Sequence, residues 1–274
     1  ASEMAARAAR AALKAAGVAA GDIDLVVVGT VTAEMAFPSV ACLVQAELGI
    51  KPGAAAFDVS AACSGFLYSL DIADKYLKSG GAGKALVIGV DKFSDLIDWK
   101  DRSTCVLFGD GAGAAVLSAE KGQRGVLSCR VHSDGRHWDA LYCRAARPDS
   151  PFEKGRKEQS YLVMNGNETF KIAVRTMGQA IKEVMEETGL EPEDISLLIP
   201  HQANMRIINA ARERLNLPAE RVYTNLDRYG NTSAASIPIA LDEAVRDGRV
   251  KANDVILFVA FGGGLTWASA AVRW

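Results

Sequence analysis

The sequence predicts a layered α/β protein made of two related halves, and three observations carry that prediction. Short apolar runs of strand length alternate with helical stretches; the runs are apolar throughout, as in strands covered on both faces; and one order of helix, glycine, acidic turn and strand occurs twice. Ser2 is read as the cap of a helix through the Ala-rich stretch to Lys14, stopped by Gly17, with the strand Ile23 to Val28 after it. A second helix spans Pro38 to Leu48, since proline suits a first turn and Gly49 a stop. The strand Ala55 to Val59, a helix from Ser64 to Lys78 and the strand Ala85 to Val90 follow. Asp91 to Ser103 reads as a loop, and Cys105 to Leu117 as strand material broken by a glycine turn.

The second half repeats this order. Gly17 to Val28 corresponds to Gly189 to Ile199, with Gly21-Asp22-Ile23 matching Glu193-Asp194-Ile195. The helix ending at Lys78-Ser79-Gly80 matches the one ending at Arg246-Asp247-Gly248, each before a strand, Ala85 to Gly89 or Val255 to Val259. Counting back seventeen residues from the two glycines reaches Cys63 and Asn231, which this offset makes equivalent helix-entry positions. The expected organisation is a first half over 1–118 carrying Cys63, connecting and pocket-forming loops over 119–164, including Ser150 to Met164, and a second half over 165–274.

Composition narrows the function. The 274 residues are 49% hydrophobic and 23% charged, an ordinary globular balance that excludes a disordered or collagen-like chain. Thirty-one Lys+Arg against thirty-three Asp+Glu, a net charge of −2, is too even for a protein whose main task is gripping nucleic acid. The longest apolar runs, Leu25 to Val28 and Val255 to Phe261, fall far short of the ~20 residues of a spanning helix, so no membrane partner is expected. Five scattered cysteines without a CxxC pair fit a reducing cytoplasm, and the chain opens without a secretory signal.

Cys63 lies where a strand turns through Ser60-Ala61-Ala62 into a helix, a place where unpaired N–H groups and the helix dipole favour a thiolate. Cys42, Cys105, Cys129 and Cys143 are read as inert. Of three histidines, His201 stands at a strand end, in Pro200-His201-Gln202-Ala203-Asn204, where open α/β sheets place ligands; His132 and His137 sit in a polar stretch. Asn231 could serve as a plain cap. Gly109-Asp110-Gly111-Ala112-Gly113 lacks nucleotide-loop spacing and is read as a tight turn. Gly262-Gly263-Gly264, directly after a strand, lets a backbone N–H approach a substrate oxygen, with plain turn geometry as the competing reading. Lys171, Arg175, Arg206, Arg212 and Arg214 form either a solvated face or a seat for an acidic partner.

Together, Cys63 in its small-residue turn, His201-Gln202-Ala203-Asn204, Gly230-Asn231-Thr232-Ser233-Ala234-Ala235-Ser236 and Phe261-Gly262-Gly263-Gly264 resemble β-ketoacyl-acyl carrier protein synthase III of the thiolase superfamily. Phe37-Pro38-Ser39, Asp101-Arg102 and Phe108 to Gly113 extend the resemblance over essentially the whole chain. It implies a thiolase-like, duplicated five-layered α/β/α/β/α fold with an N-terminal strand segment missing. Roughly fifty further residues before Ala1, with a strand of the first sheet and a Trp/Arg segment over the CoA adenine, are expected from that likeness.

The implied reaction is a decarboxylating condensation of an acyl-CoA primer with malonyl-acyl carrier protein. Cys63 takes the acyl group, the N–H groups of Cys63 and Gly263 form the oxyanion hole, and His201 and Asn231 polarise the malonyl thioester. Arg102, Phe170, Asn204, Arg206 and Phe37 are implied substrate contacts, Phe37 by reaching a partner subunit's pocket; Lys171, Arg206 and Arg214 are implied docking residues for the carrier protein. No cofactor or metal is implied beyond the CoA thioester as substrate, and a cytoplasmic homodimer is expected. A degradative thiolase would carry a second cysteine in Phe261 to Trp267, and an elongating synthase a histidine at 231. A polyketide or specialised-metabolism relative, a papain-like cysteine hydrolase and a silent carrier-protein scaffold are the competing readings.

Overall fold

The computed structural model describes residues 1–146, 149, 151–155 and 160–274; Ser150, where the predicted pocket loop begins, and residues 156–159 within it lie outside them. The first half contains α1 (Ser2–Ala16), β1 (Leu25–Gly29), α2 (Val40–Leu48), β2 (Ala55–Val59), α3 (Gly65–Lys78), β3 (Lys84–Lys92) and β4 (Asp110–Ser118). Its strands form one sheet in the order β2-β1-β3-β4, parallel except for β4. The chain continues through β5 (Gly125–Ser133), the small pair β6 (Leu141–Tyr142) and β7 (Val163–Met164), and α4 (Gly166–Thr188). Then come β8 (Ile195–Pro200), α5 (Met205–Arg214), α6 (Leu226–Tyr229), α7 (Ser236–Arg246), β9 (Val255–Gly262) and β10 (Thr266–Arg273). The second sheet runs β5-β10-β9-β8, and a parallel bridge from Val222 to Leu198 continues it past β8.

Alternate residues of each central strand feed different cores, which makes five layers. Leu25 and Val27 point to a middle core with α3 and α7, shared with Leu197, Ile199 and Phe258 of the second sheet. Val26 and Val28 face α1 and α2, and Leu198 and Leu257 face α4 and α5. Burial on both faces is why these strands read as unbroken apolar runs.

Gly17, Gly49 and Gly189 close their helices in the left-handed conformation, so the predicted stops hold. Several starts do not. Ser2 lies inside α1 and caps nothing. The second helix begins at Val40, where Ser39 accepts from the Cys42 N–H at 3.2 Å and Asp58 accepts from Val40 and Ala41. A 3-10 turn over Ala62–Ser64 precedes α3. The expected loop from Asp91 starts later, because β3 runs on to Lys92 and pairs with Asp110. The glycines of 109–113 are not a tight turn: β4 passes straight through Gly111 and Gly113, and a Cβ at Gly113 would lie 2.8 Å from the backbone N of Ile239 in α7. Their smallness lets the second half's helix press onto the first half's sheet.

The repeat is present in three dimensions, but the seventeen-residue offset misaligns it. The backbone equivalent of Ala62, with φ 45°, is Ser233, with φ 53°, each opening a 3-10 turn before a central helix. Since α3 has 14 residues and α7 has 11, counting from the C-terminal glycines slips by three. Cys63 therefore corresponds to Ala234, and Asn231 stands before the second turn.

Candidate active site

The first elbow takes the chain from β2 into α3 through small residues. Ala62 occupies the left-handed region, where a bulky or branched side chain is disfavoured. Ser64 Oγ donates to Thr266 O at 3.2 Å and Thr266 Oγ1 donates to Ala61 O at 2.9 Å, which fastens this elbow to β10. The end of β9 lies against it: a Cβ at Gly262 would be 2.6 Å from the Cys63 N, so only glycine permits the approach. Gly263 follows, where a Cβ would be 2.9 Å from Leu141 O and 3.8 Å from Ala62 Cβ.

The second elbow positions Asn231. Its backbone N–H donates to Leu107 O at 2.8 Å and its carbonyl accepts from Gly109 N–H at 3.0 Å, binding it to the loop before β4. Its Oδ1 accepts from the Ser233 N–H at 2.8 Å. With the oxygen so engaged, Nδ2 is the group left to donate.

His201 sits at the end of β8, its N–H donating to Val259 O at 2.8 Å. Nδ1 lies 2.7 Å from Ser236 Oγ, and the Gln202 N–H reaches the same hydroxyl at 3.4 Å. The hydroxyl accepts from that amide and donates its own hydrogen to Nδ1, which leaves the imidazole hydrogen on Nε2. Burial pushes the imidazole pKa down to about 4, so the ring is neutral near pH 7. Gln202, also buried, donates to Pro200 O at 2.7 Å and accepts from the Asn225 N–H at 3.1 Å, which fixes the segment carrying His201.

Cys63, His201 and Asn231 line one cavity of about 310 Å³, together with Phe108, Phe170 and Asn204. Each of the three is over nine-tenths buried. The sequence expectation of a thiolate-favouring cysteine fails here: burial pushes the Cys63 thiol up to about 12, against a smaller lowering by the Ser233 side chain, and the Asp91 charge adds a lesser push upward. Removing the sulfur from water outweighs the helix N-terminus, and the site holds a thiol beside a neutral imidazole. None of the other four cysteines lines the cavity.

A second hollow of about 500 Å³ shares Gly166, Phe170 and Asn204 with the cavity and is also lined by Lys171, Met205 and Arg206. Arg206 lies over the Phe170 ring at 4.5 Å, and Asn204 caps α5 by accepting from Ile207 N–H at 3.0 Å. The remaining sequence-predicted residues lie elsewhere. Arg214, at the far end of α5, lines a separate hollow between α4 and α5. Arg102 lines neither space, although its neighbour Ser103 reaches the cavity, and Phe37 is 84% exposed away from both. Sequence reasoning missed Ser236, Gln202 and Ser233 as individual actors, because serines and glutamine near a strand end carry no spacing signal of their own.

A buried thiol, a neutral histidine and a carboxamide meeting between two fused halves of this kind define a thiolase-fold acyl-transferring condensing enzyme. Residues 57–135 match the family described as "3-Oxoacyl-[acyl-carrier-protein (ACP)] synthase III", and residues 185–274 match its C-terminal counterpart. The chain is 52% identical over 272 residues to "Beta-ketoacyl-[acyl-carrier-protein] synthase III" of Alkalilimnicola ehrlichii, covering 99% of this chain and 84% of that one. The crystal structure of 3-oxoacyl-[acyl-carrier-protein] synthase III from Aquifex aeolicus superposes with a TM-score of 0.92 at 49% identity, covering 100% of this chain and 84% of that one. The Thermus thermophilus enzyme gives the same TM-score at 47% identity, with the same coverage. The chain belongs to the β-ketoacyl-acyl carrier protein synthase III family.

Proposed function

We propose that the chain performs its family's reaction, the condensation of an acyl-CoA with malonyl-acyl carrier protein that initiates a fatty acid, through an acyl group carried on Cys63. The observation that carries this reading is the shared cavity: three groups 138 and 30 residues apart in sequence line one space. The Cys63 sulfur attacks the acyl-CoA carbonyl, the N–H groups of Cys63 and Gly263 receive the developing oxyanion, and CoA departs. Malonyl-acyl carrier protein then enters. The Nε2–H of His201 and the Nδ2–H of Asn231 donate to its thioester oxygen as carbon dioxide leaves, and the resulting enolate attacks the acyl group and frees the Cys63 sulfur. A neutral imidazole with its hydrogen on Nε2 suits that donor role.

The papain-like alternative needs a thiolate paired with an imidazolium, whereas here burial favours the neutral form of both groups. Lys171 and Arg206, beside the outer hollow, are the proposed contacts for the acidic carrier protein, with Arg214 farther along the same helix. Arg102 and Phe37 are proposed to reach substrate or a partner subunit's pocket. A homodimer is supported by the half-exposed apolar edge strand β2 and by Phe37, 84% exposed. The division into 1–118, 119–164 and 165–274 is kept, with β5 of the connecting piece serving the second sheet. Among the described residues no helix is long and apolar enough to cross a membrane, and the cytoplasm is the proposed location.

The test is intact mass after mixing with a panel of short acyl-CoAs. The wild type is expected to gain one acyl group and Cys63→Ser none. Unchanged wild-type mass across the panel would remove Cys63 from its role, and carrier binding without labelling would favour the silent scaffold.

A further inference from the structure

Asn231 has to present its carboxamide at a fixed spot, yet the stretch that leads into it has little stability of its own. α6 is a single turn of four residues, too short to persist without outside contacts. Its cap residue, Asn225, is buried and makes no side-chain bond to the helix. Gly230, which joins α6 to Asn231, takes φ 65° and ψ −160°, a conformation open to glycine and few other residues. A carboxylate from another element holds this stretch. Glu243 Oε2 accepts from Asn225 Nδ2 at 2.8 Å and from Arg228 Nη2 at 2.7 Å, and Oε1 accepts from the Tyr229 hydroxyl at 2.5 Å. A single exposed ion pair contributes little, but here three donors from one short segment converge on a side chain that is only 17% exposed, and they fix both ends of α6.

Glu243 lies about two helical turns after Ser236 on α7, so the helix whose first residue bonds to His201 also grips the turn before Asn231. It lines neither the cavity nor the outer hollow, and therefore acts through other residues. His201 has anchors of its own, in Val259 O, in Ser236 and in the bond from Gln202 to Pro200 O. For Asn231 the bonds to Leu107 and Gly109 hold it against the first half, and Glu243 holds the chain that brings it there. We propose that Glu243 is a positioning residue for malonyl decarboxylation, keeping α6 in the one placement from which Asn231 Nδ2 meets the thioester oxygen. This rests on Asn231 being a donor in that half-reaction. Without the carboxylate, α6 loosens at Arg228 and Tyr229 and the carboxamide shifts, while Cys63, on the other elbow, keeps its place.

The experiment reads both half-reactions of the full chain: release of carbon dioxide from a malonyl thioester, and single-turnover acylation by intact mass with a short acyl-CoA that labels the wild type. Glu243→Gln keeps the size of the side chain but turns one acceptor into a donor. It is expected to slow decarboxylation between about 10- and 100-fold, the scale of a misplacement of about 1 Å, with acylation within about twofold of the wild type. Tyr229→Phe removes one of the three bonds at a residue 40% exposed, and should slow decarboxylation about fivefold. If Glu243 works through Asn231, adding Glu243→Gln to Asn231→Ala should cost less than about twofold more. Equal loss of both half-reactions in Glu243→Gln, decarboxylation at the wild-type rate, or the full further loss on top of Asn231→Ala would overturn the proposal. Tyr229→Phe decarboxylating at the wild-type rate would overturn it even where Glu243→Gln fails to fold. Asn231→Ala decarboxylating like the wild type would instead overturn the donor assignment on which the proposal rests.

Discussion

The two elbows share a backbone and divide the chemistry. In the first, Ala62 at φ 45° is followed by Cys63; in the second, Ser233 at φ 53° is followed by Ala234, and the carboxamide that lines the cavity comes two residues before Ser233, on Asn231. In the proposed reaction one turn therefore delivers the attacking atom at its tip, and the other uses its first amide, that of Ser233, to orient the proposed donor. The comparison teaches that a duplicated scaffold conserves the direction in which chain and helix meet, while the position that carries function slides along the turn. The second half also supplies His201 from a strand end, a place whose first-half counterpart, the end of β1, enters no part of the cavity lining.

The largest expected effect breaks this division on the second-half side. His201→Ala and Asn231→Ala should each retain acylation at Cys63 but lower malonyl decarboxylation by roughly 100- to 1000-fold, the scale for removing a preorganised oxyanion donor. Release of carbon dioxide and intact mass, read on the same samples, separate the two half-reactions. Next is Gly262→Ala, which drives a Cβ to within 2.6 Å of the Cys63 N and disturbs the first elbow alone. Overpacking of this kind lowers stability by about 1–3 kcal/mol, so a lower melting temperature should accompany lost acylation.

A smaller effect is expected from Ser236→Ala. Without that hydroxyl the imidazole can carry its hydrogen on either nitrogen, and decarboxylation should fall about tenfold while acylation is unchanged. The smallest concerns stability against pH. His201 has a folded pKa of about 4 against an ordinary 6.5, so its contribution is present above about 6.5 and is lost as pH falls toward 4. Asp91 runs the other way: with about 6 against 3.8, its contribution is full below 3.8 and is lost as pH rises through 6. Asp91→Asn should therefore lose stability more steeply than the wild type between pH 6 and 4, as urea titrations would report.

Much of this is legible in the sequence, for identifiable reasons. Glycine stops, unbroken apolar strands and the small-residue turn at Cys63 are local signals, and the motif set around His201 and Asn231 points to the family. What stays hidden depends on contacts between distant segments. Asp91 reads as the first residue of a polar loop, yet pairing with Gly111 keeps it in a strand and buries it. The charge state of Cys63 is misread because a helix N-terminus is visible in one dimension and the surrounding exclusion of water is not. The equivalence of the elbows slips by three because only coordinates reveal that α7 is the shorter helix.

Asn231 is held on both sides by amide contacts to Leu107 and Gly109 of the opposite half. A clamshell movement that parted the halves would tear out the donor proposed for decarboxylation. The outer hollow beside Phe170 and Arg206 offers an approach that leaves this seam closed, and a chain severed into two fragments should regain turnover only as far as their reassociation restores the stitched seam.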